Sequence, residues 1–364
     1  MTLHIFNPEH DLALASALPN FTAPHAGRQL RHDLAWLPLL WAKEGDTVVV
    51  DDVALSKKVL SKRQWLKKHV HVDFVDWRNL AGMNPHSIDP WGWDAALRWR
   101  LLRSGVAEHL LPTDTDIDHI RQLSHRRTAM TLLHQLRADL PDTIGIQHEC
   151  STIDDVLAQA EVYGRVVLKA PWSSSGRGVR FCTFTDLSTD ASSSVVGWLH
   201  NTLERQGSVM LEPYYNKVKD FGMEFLCDAA GQVSCLGLSL FHTQNGAYTG
   251  NLIATERAKE SVITRYVPAD LLEKTKEMVC RRASVLLGGK YRGPFGVDMM
   301  LCSSQASARA LSLHPCVELN LRRTMGHAAL AVSAIVNRQH DDDLRHVMRI
   351  DYENNNYKLR LKRI

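Results

Sequence analysis

Four residues in the last third of the chain have the types and spacing for metal-assisted chemistry. Asp298 lies in the alternating run GPFGVDMML, and Glu318, Asn320 and Arg322 lie in CVELNLRRTMGH. Residues two apart on a strand share a face. Glu318 and Asn320 therefore project together, while Val317, Leu319 and Leu321 turn towards a core. If the two runs pair as antiparallel strands, Asp298 joins that face. Two carboxylates and an amide oxygen are hard ligands of the kind magnesium takes together with substrate phosphates and water. Arg322 shares the face of Asn320 and carries a planar fork suited to an anionic substrate. The same pattern also describes two amphipathic strands with a solvated face, and short motifs match by chance. Other stretches must decide.

The second such stretch follows VVLK at 166–169. Lys169 ends this apolar run, and APWSSSGRGV comes next. Small residues let backbone amides approach an anion closely, and a lysine at the strand end reaches the same phosphates. Ser173, Ser174, Ser175, Gly176 and Gly178 are the loop candidates. This is not a Walker A loop, because the lysine precedes the glycines and no G-K-[ST] is present. A Ser/Gly-rich hairpin turn with an exposed lysine is the competing reading. Against it, Lys169 closes an apolar run and is expected to be half-buried.

The third is Asn7-Pro8-Glu9-His10-Asp11, directly after a short apolar run. In α/β sheets ligands bind beyond the carboxyl ends of the strands. Asn7, Glu9, His10 and Asp11 are therefore candidate substrate contacts. The alternative is a capped loop, with Asn7 or Asp11 as helix cap. No G-x-G-x-x-G follows, so no dinucleotide site is expected.

The elements that position these residues follow from periodicity. Residues 3–6 predict a strand, 26–43 a helix stopping at Gly45, 47–50 a strand and 70–75 another, which together suggest a parallel α/β layer. The tryptophan-rich stretch 89–103 predicts a packed helix. Residues 112–118 mark a boundary, and 120–140 predict one helix with Arg126 and Arg127 near its start. Strands are expected at 166–169, 209–212, 220–225 and 233–241, a ligand-facing loop at 243–251, and helices at 270–287 and 328–336. Residues 352–364 read equally as a strand or a frayed terminus.

Composition narrows the class. The chain has 364 residues, 45% apolar and 23% charged, as in ordinary globular proteins. A net charge of +3 is too small for nucleic-acid binding by bulk electrostatics. The seven cysteines are dispersed with no C-x-x-C pair, which argues for reduced thiols and a cytoplasmic setting. No signal peptide or membrane span is expected.

Taken in order, basic residues on a helix, strand-lysine, Ser/Gly loop, strand ending in Glu212, an acidic pair and E-x-N resemble the ATP-grasp superfamily over residues 120–330. The resemblance implies two α+β subdomains clamping a nucleotide, preceded by an α/β domain. The divisions are then 1–115, 116–207, 208–335 and a C-terminal tail 336–364. By resemblance Lys169 contacts the α/β phosphates of ATP and Ser173 to Gly178 form the covering loop. Glu212 to Tyr214 form the adenine hinge, Asp220 or Glu224 contacts ribose, and Asp298, Glu318 and Asn320 hold Mg²⁺. Arg322 matches an arginine that contacts substrate or acyl-phosphate. The family's first nucleotide-contacting lysine is replaced here by Arg126 or Arg127. The implied activity is ATP-dependent joining of a small-molecule carboxylate to an amine, such as an amino acid or peptide-like acceptor. A small-molecule kinase and a non-catalytic nucleotide-binding protein are the alternatives. An oligomer is compatible with all of these.

Overall fold

Strand Thr2–Ile5 is four residues long and almost wholly buried, so it needs a partner on each edge. Thr47–Val50 lies on one side and Ser87–Pro90 on the other, both parallel to it, and Asp73–Asp76 extends the sheet beyond Thr47–Val50. Connections run to opposite sides of Thr2–Ile5, which makes its carboxyl end a topological switch point. Residues 7–11 sit there. The structure, a computed structural model, describes residues 1–66, 71–173, 178–188, 193–244, 247–303, 311–337 and 345–364. Ser174, Ser175 and Gly176 lie outside the described residues.

Several sequence boundaries shift for local reasons. The helix expected over 26–43 ends at Leu34, and a 3₁₀ turn Leu37–Leu40 follows. Pro38 near the start of that turn has no N–H to continue an α-helix and disfavours helix in the residue before it. The single helix expected over 120–140 is two, Asp114–Leu123 and Arg127–Asp139. The first opens on a Thr113–Asp116 capping box, and the break at 124–126 puts Arg126 at the mouth of the second. Within 89–103 a strand end precedes helix Ala95–Arg103, which Asp94 caps through Leu97 N at 2.8 Å.

Among the described residues the strands form three further four-stranded sheets, all with antiparallel pairing. One runs His148–Cys150, Val209–Pro213, Arg165–Lys169, Val179–Thr183 and has its own small core with helices Ile153–Tyr163 and Ser194–Gln206. A second runs Val233–Ser239, Lys217–Cys227, Gly293–Ser303, Leu311–Asn320. Its buried face, with Phe221, Phe225, Phe295 and Val297, meets helices Arg127–Asp139 and Ala269–Leu287 in the largest core. The last runs Phe241–Gln244, Ala247–Ile253, His346–Glu353, Asn356–Arg363.

That last sheet corrects one expectation and settles another. Residues 243–244 and 247–251 belong to paired strands instead of a loop, residues 245–246 lying outside the described residues, and the chain's final stretch is the sheet's outer strand. Asn251, fully buried, donates to Ser239 Oγ at 2.8 Å and accepts from the Tyr248 hydroxyl at 2.5 Å. No helix among the described residues is long and apolar enough to cross a membrane.

Candidate active site

The two alternating runs near the end of the chain pair as antiparallel strands, with Asp298 opposite Glu318 and a bulge between Asp298 and Met300. Directly opposed residues have Cβ atoms about 4.5–5.5 Å apart, so the two carboxylates share one patch. Asn320 Nδ2 donates to Asp298 Oδ2 at 3.2 Å. Burial first, then the charges of Glu318 and Glu224, push the Asp298 carboxyl well above the usual carboxylate range. This is a donor set with an excess of negative charge, and a divalent cation would relieve it. Leu319 and Leu321 are buried as expected, but Val317 is not in the core. It lines a crevice, and its carbonyl faces Lys169 Nζ at 3.5 Å.

Glu224 is 2% exposed, with His327 Nδ1 2.9 Å from its Oε2. Gly326 packs so closely that a Cβ there would overlap the Glu224 carboxylate. This acid therefore lies under the strand pair as a third negative charge near Asp298. Asp220 is elsewhere on its strand, held by Lys217 Nζ at 2.5 Å and the Thr243 hydroxyl at 2.8 Å.

Lys169 ends strand Arg165–Lys169 and is 8% exposed, deeper than the half-burial expected. Its Nζ lies 2.7 Å from Glu212 Oε1. The crevice beside this pair is lined by Arg126, Gln147, Met210, Leu211 and Val317 as well. The crevice is closed in this structure, with no room inside it for a water molecule. Tyr214 stands at the end of strand Val209–Pro213 with the Arg165 guanidinium 3.8 Å from its ring centre.

The break between helices decides which arginine faces the crevice. The Arg126 side chain is 8% exposed, against 51% for Arg127. Arg126 donates to the Ala170 carbonyl, to Ser173 Oγ at 2.8 Å and to Glu318 Oε1 at 2.6 Å. Arg127 turns outward to Glu149 at 2.6 Å and to the ring of His125. Burial, and then the Arg127 charge, lower the His125 pKa to about 4, so the ring is neutral and accepts from Arg127 N at 3.0 Å. The Ser/Gly loop is tied at its base by Ala170 N donating to the Gly178 carbonyl at 2.8 Å. A side chain at Gly178 would run into Ser173.

Arg322 extends its fork to Asp11, Nε to Oδ1 at 2.8 Å and Nη2 to Oδ2 at 2.7 Å, and also donates to Asn320 Oδ1 at 3.1 Å. The next residue, Arg323, reaches Asp89 Oδ2 at 2.6 Å. Two consecutive arginines thus hold the end of strand Leu311–Asn320 to the N-terminal domain. The capping alternative for the N-terminal cluster is not realised. Glu9 is the N-cap of helix His10–Ser16, and no side chain caps it. Asn7 donates instead to the Gly92 carbonyl at 2.8 Å and to Asp94 at 3.1 Å. His10 lies against Asp94 at 3.3 Å. One unbroken set of contacts therefore runs from the loop base through Arg126, Glu318, Asp298 and Asn320 to Arg322 and Asp11. Gln147, Met210 and Leu211 carry no chemical signal in the sequence, and Val317 reads there as a core residue. They belong to no motif, and only the crevice reveals them.

No family model and no curated relative matches the chain. Solved structures do. The biotin carboxylase domain of the Hydrogenobacter thermophilus 2-oxoglutarate carboxylase, solved as a dimer with MgADP, ADP and bicarbonate, is 14% identical with a TM-score of 0.51 and matches 96% of this chain and 74% of its own. Campylobacter jejuni biotin carboxylase, in a β,γ-ATP complex, is 12% identical with a TM-score of 0.51, over 98% of this chain and 77% of that one. The phosphoribosylamine–glycine ligase of Thermotoga maritima is 12% identical with a TM-score of 0.52, over 96% and 80%. The likeness covers nearly the whole of this chain, N-terminal sheet included, and shows that it shares the fold of these three proteins.

Proposed function

We propose that the protein is an ATP- and Mg²⁺-dependent ligase that activates a small carboxylate as an acyl-phosphate and joins it to an amine. The observation that carries this reading is the contact path from the Ser/Gly loop base through Arg126 to the Glu318–Asp298 pair. In it Arg126, which lines the crevice, lies 2.6 Å from Glu318, the carboxylate opposite Asp298. Neighbours of the same fold that hold ADP or an ATP form add to it.

Lys169 and Arg126 supply preorganised positive charge to the phosphates, and neither has to be recruited from solvent. Met210, Leu211 and Val317 give the apolar slot for adenine, with the backbone of residues 212–214 at its edge. Asp298, Glu318 and Asn320 would hold magnesium, which would supply charge neutralisation for the transferring phosphoryl group. The substrate carboxylate oxygen attacks the γ-phosphorus, and the bond to the β–γ bridging oxygen breaks to release ADP. The amine then attacks the acyl carbon and phosphate leaves. Arg322, already aligned by Asp11 and Asn320, lies where it can hold the acyl group between these steps.

Incubation with ATP, Mg²⁺ and pools of carboxylic acids, amino acids and amines tests this directly. The expected products are ADP, free phosphate and an amide in equal amounts, and Glu318→Gln lowers their rate by about 10²–10³-fold. A stable phosphorylated product with no free phosphate would make the enzyme a kinase. No ADP from any pool would leave a nucleotide-binding protein.

A further inference from the structure

The N-terminal sheet carries a second cavity, of about 260 Å³, formed by residues from 7–31 and 77–100 only and therefore separate from the nucleotide crevice. Glu9 lines it and is 9% exposed. Glu9 Oε1 pairs with Arg31, whereas its other oxygen, Oε2, is buried and without a hydrogen-bond donor. Three arginines also line the cavity. Arg31 and Arg100 both lean on Asp51, at 3.5 and 3.1 Å, and Arg100 lies 3.6 Å above the ring of Trp77. The guanidinium of Arg28, exposed at the mouth, makes no ion pair or hydrogen bond among the described residues.

The charges are thus settled except at two places. One is a buried acceptor, Glu9 Oε2, that asks for a donor or a cation. The other is a guanidinium, Arg28, that offers a fork to an anion. An occupant completing both carries an ammonium and a carboxylate on a small body, and the indole of Trp77 supplies an apolar wall. We infer that this cavity binds a free amino acid, its ammonium on Glu9 and its carboxylate on Arg28. The volume admits one small molecule of that size. Glu9 is the N-cap of the helix whose second residue is Asp11, which Arg322 grips, so a single short segment faces both the cavity and strand Leu311–Asn320. The occupant's role as a substrate rests on the ligase reading above. Its binding does not.

Calorimetry on the full chain without nucleotide tests the site, with single L-amino acids, the matching carboxylic acids that lack the amine, and the matching amino-acid amides as probes. At least one amino acid is expected to bind. Loss of either charged end, or Arg28→Ala, is expected to weaken it about tenfold or more, the effect of one charge-assisted pair. Arg28 is exposed, so this variant keeps the fold even if Glu9→Gln, which removes one of the two carboxylates paired with Arg31, does not. The inference is overturned if no probe binds, if the des-amino acids bind equally well, or if Arg28→Ala binds unchanged. Amide formation from ATP that is indifferent to Arg28→Ala would remove this site and leave the ligase. Amino-acid binding with no ATP turnover from any pool would keep the site and remove the ligase.

Discussion

Lys169→Ala is expected to lower ATP-dependent turnover by at least about 10²–10³-fold, the usual loss for one preorganised donor, and also to weaken the fold. Lys169 and Glu212 form an ion pair 2.7 Å apart, with side chains only 10% and 7% exposed. Removing one member of a buried pair leaves the other charge without compensation, which costs about 3–5 kcal/mol. The single variant therefore confounds catalysis with stability. Lys169→Met with Glu212→Gln separates them, because an uncharged pair of similar volume is close to neutral for folding. Chemical denaturation is expected to recover most of the lost stability in the double variant, while phosphate release stays at the level of Lys169→Ala. Recovery of both would make Lys169 a structural cation only.

Asp298→Asn is expected to move stability and activity in opposite directions. The Asp298 carboxyl is pushed upward by burial and by two neighbouring carboxylates, Glu318 and Glu224. An acid whose pKa is raised by folding binds more protons in the folded chain than in the unfolded one. Its contribution to stability is present below the ordinary carboxylate pKa, near 4, and is lost as pH rises through the elevated value. Without metal, wild type at neutral pH is above the ordinary carboxylate pKa and already carries part of that loss. Asp298→Asn removes the repulsion and is expected to stabilise the metal-free protein at pH 7 by on the order of 1–3 kcal/mol. The gain shrinks as pH falls towards 4. Turnover is lost, because an amide is a poorer magnesium ligand than a carboxylate. Thermal melts across pH with and without Mg²⁺ check the sign. A variant less stable than wild type at neutral pH without metal would show that the carboxylate is satisfied within the fold.

The sheet that bears these residues was legible because its signal is local. Period-2 alternation in 293–301 and 316–321 put Asp298 and Glu318 on strands, and their register follows. Lys169 stood out because a lysine closes an apolar run. What the sequence withheld was long-range. Glu212 was read as a hinge residue, and nothing along the chain pairs it with Lys169. The Arg322–Asp11 fork joins residues 311 apart. The choice between Arg126 and Arg127 turns on a helix break at 124–126 that no proline or glycine announces. The strand at 247–253 was taken for a loop because it is polar and glycine-bearing, and its partner, His346–Glu353, lies almost a hundred residues on. Pro38 was visible, and the 26–43 helix could have been stopped at it.

The central claim is that hard acidic ligands and a cationic crevice hold one metal–nucleotide complex between them. Electron paramagnetic resonance of Mn²⁺, added with ADP to the full chain, tests this without knowledge of the substrates. The account predicts a protein-bound Mn²⁺ signal that requires ADP and disappears in both Asp298→Asn/Glu318→Gln and Lys169→Met/Glu212→Gln. A signal that survives in the first variant would place the metal elsewhere and contradict the account.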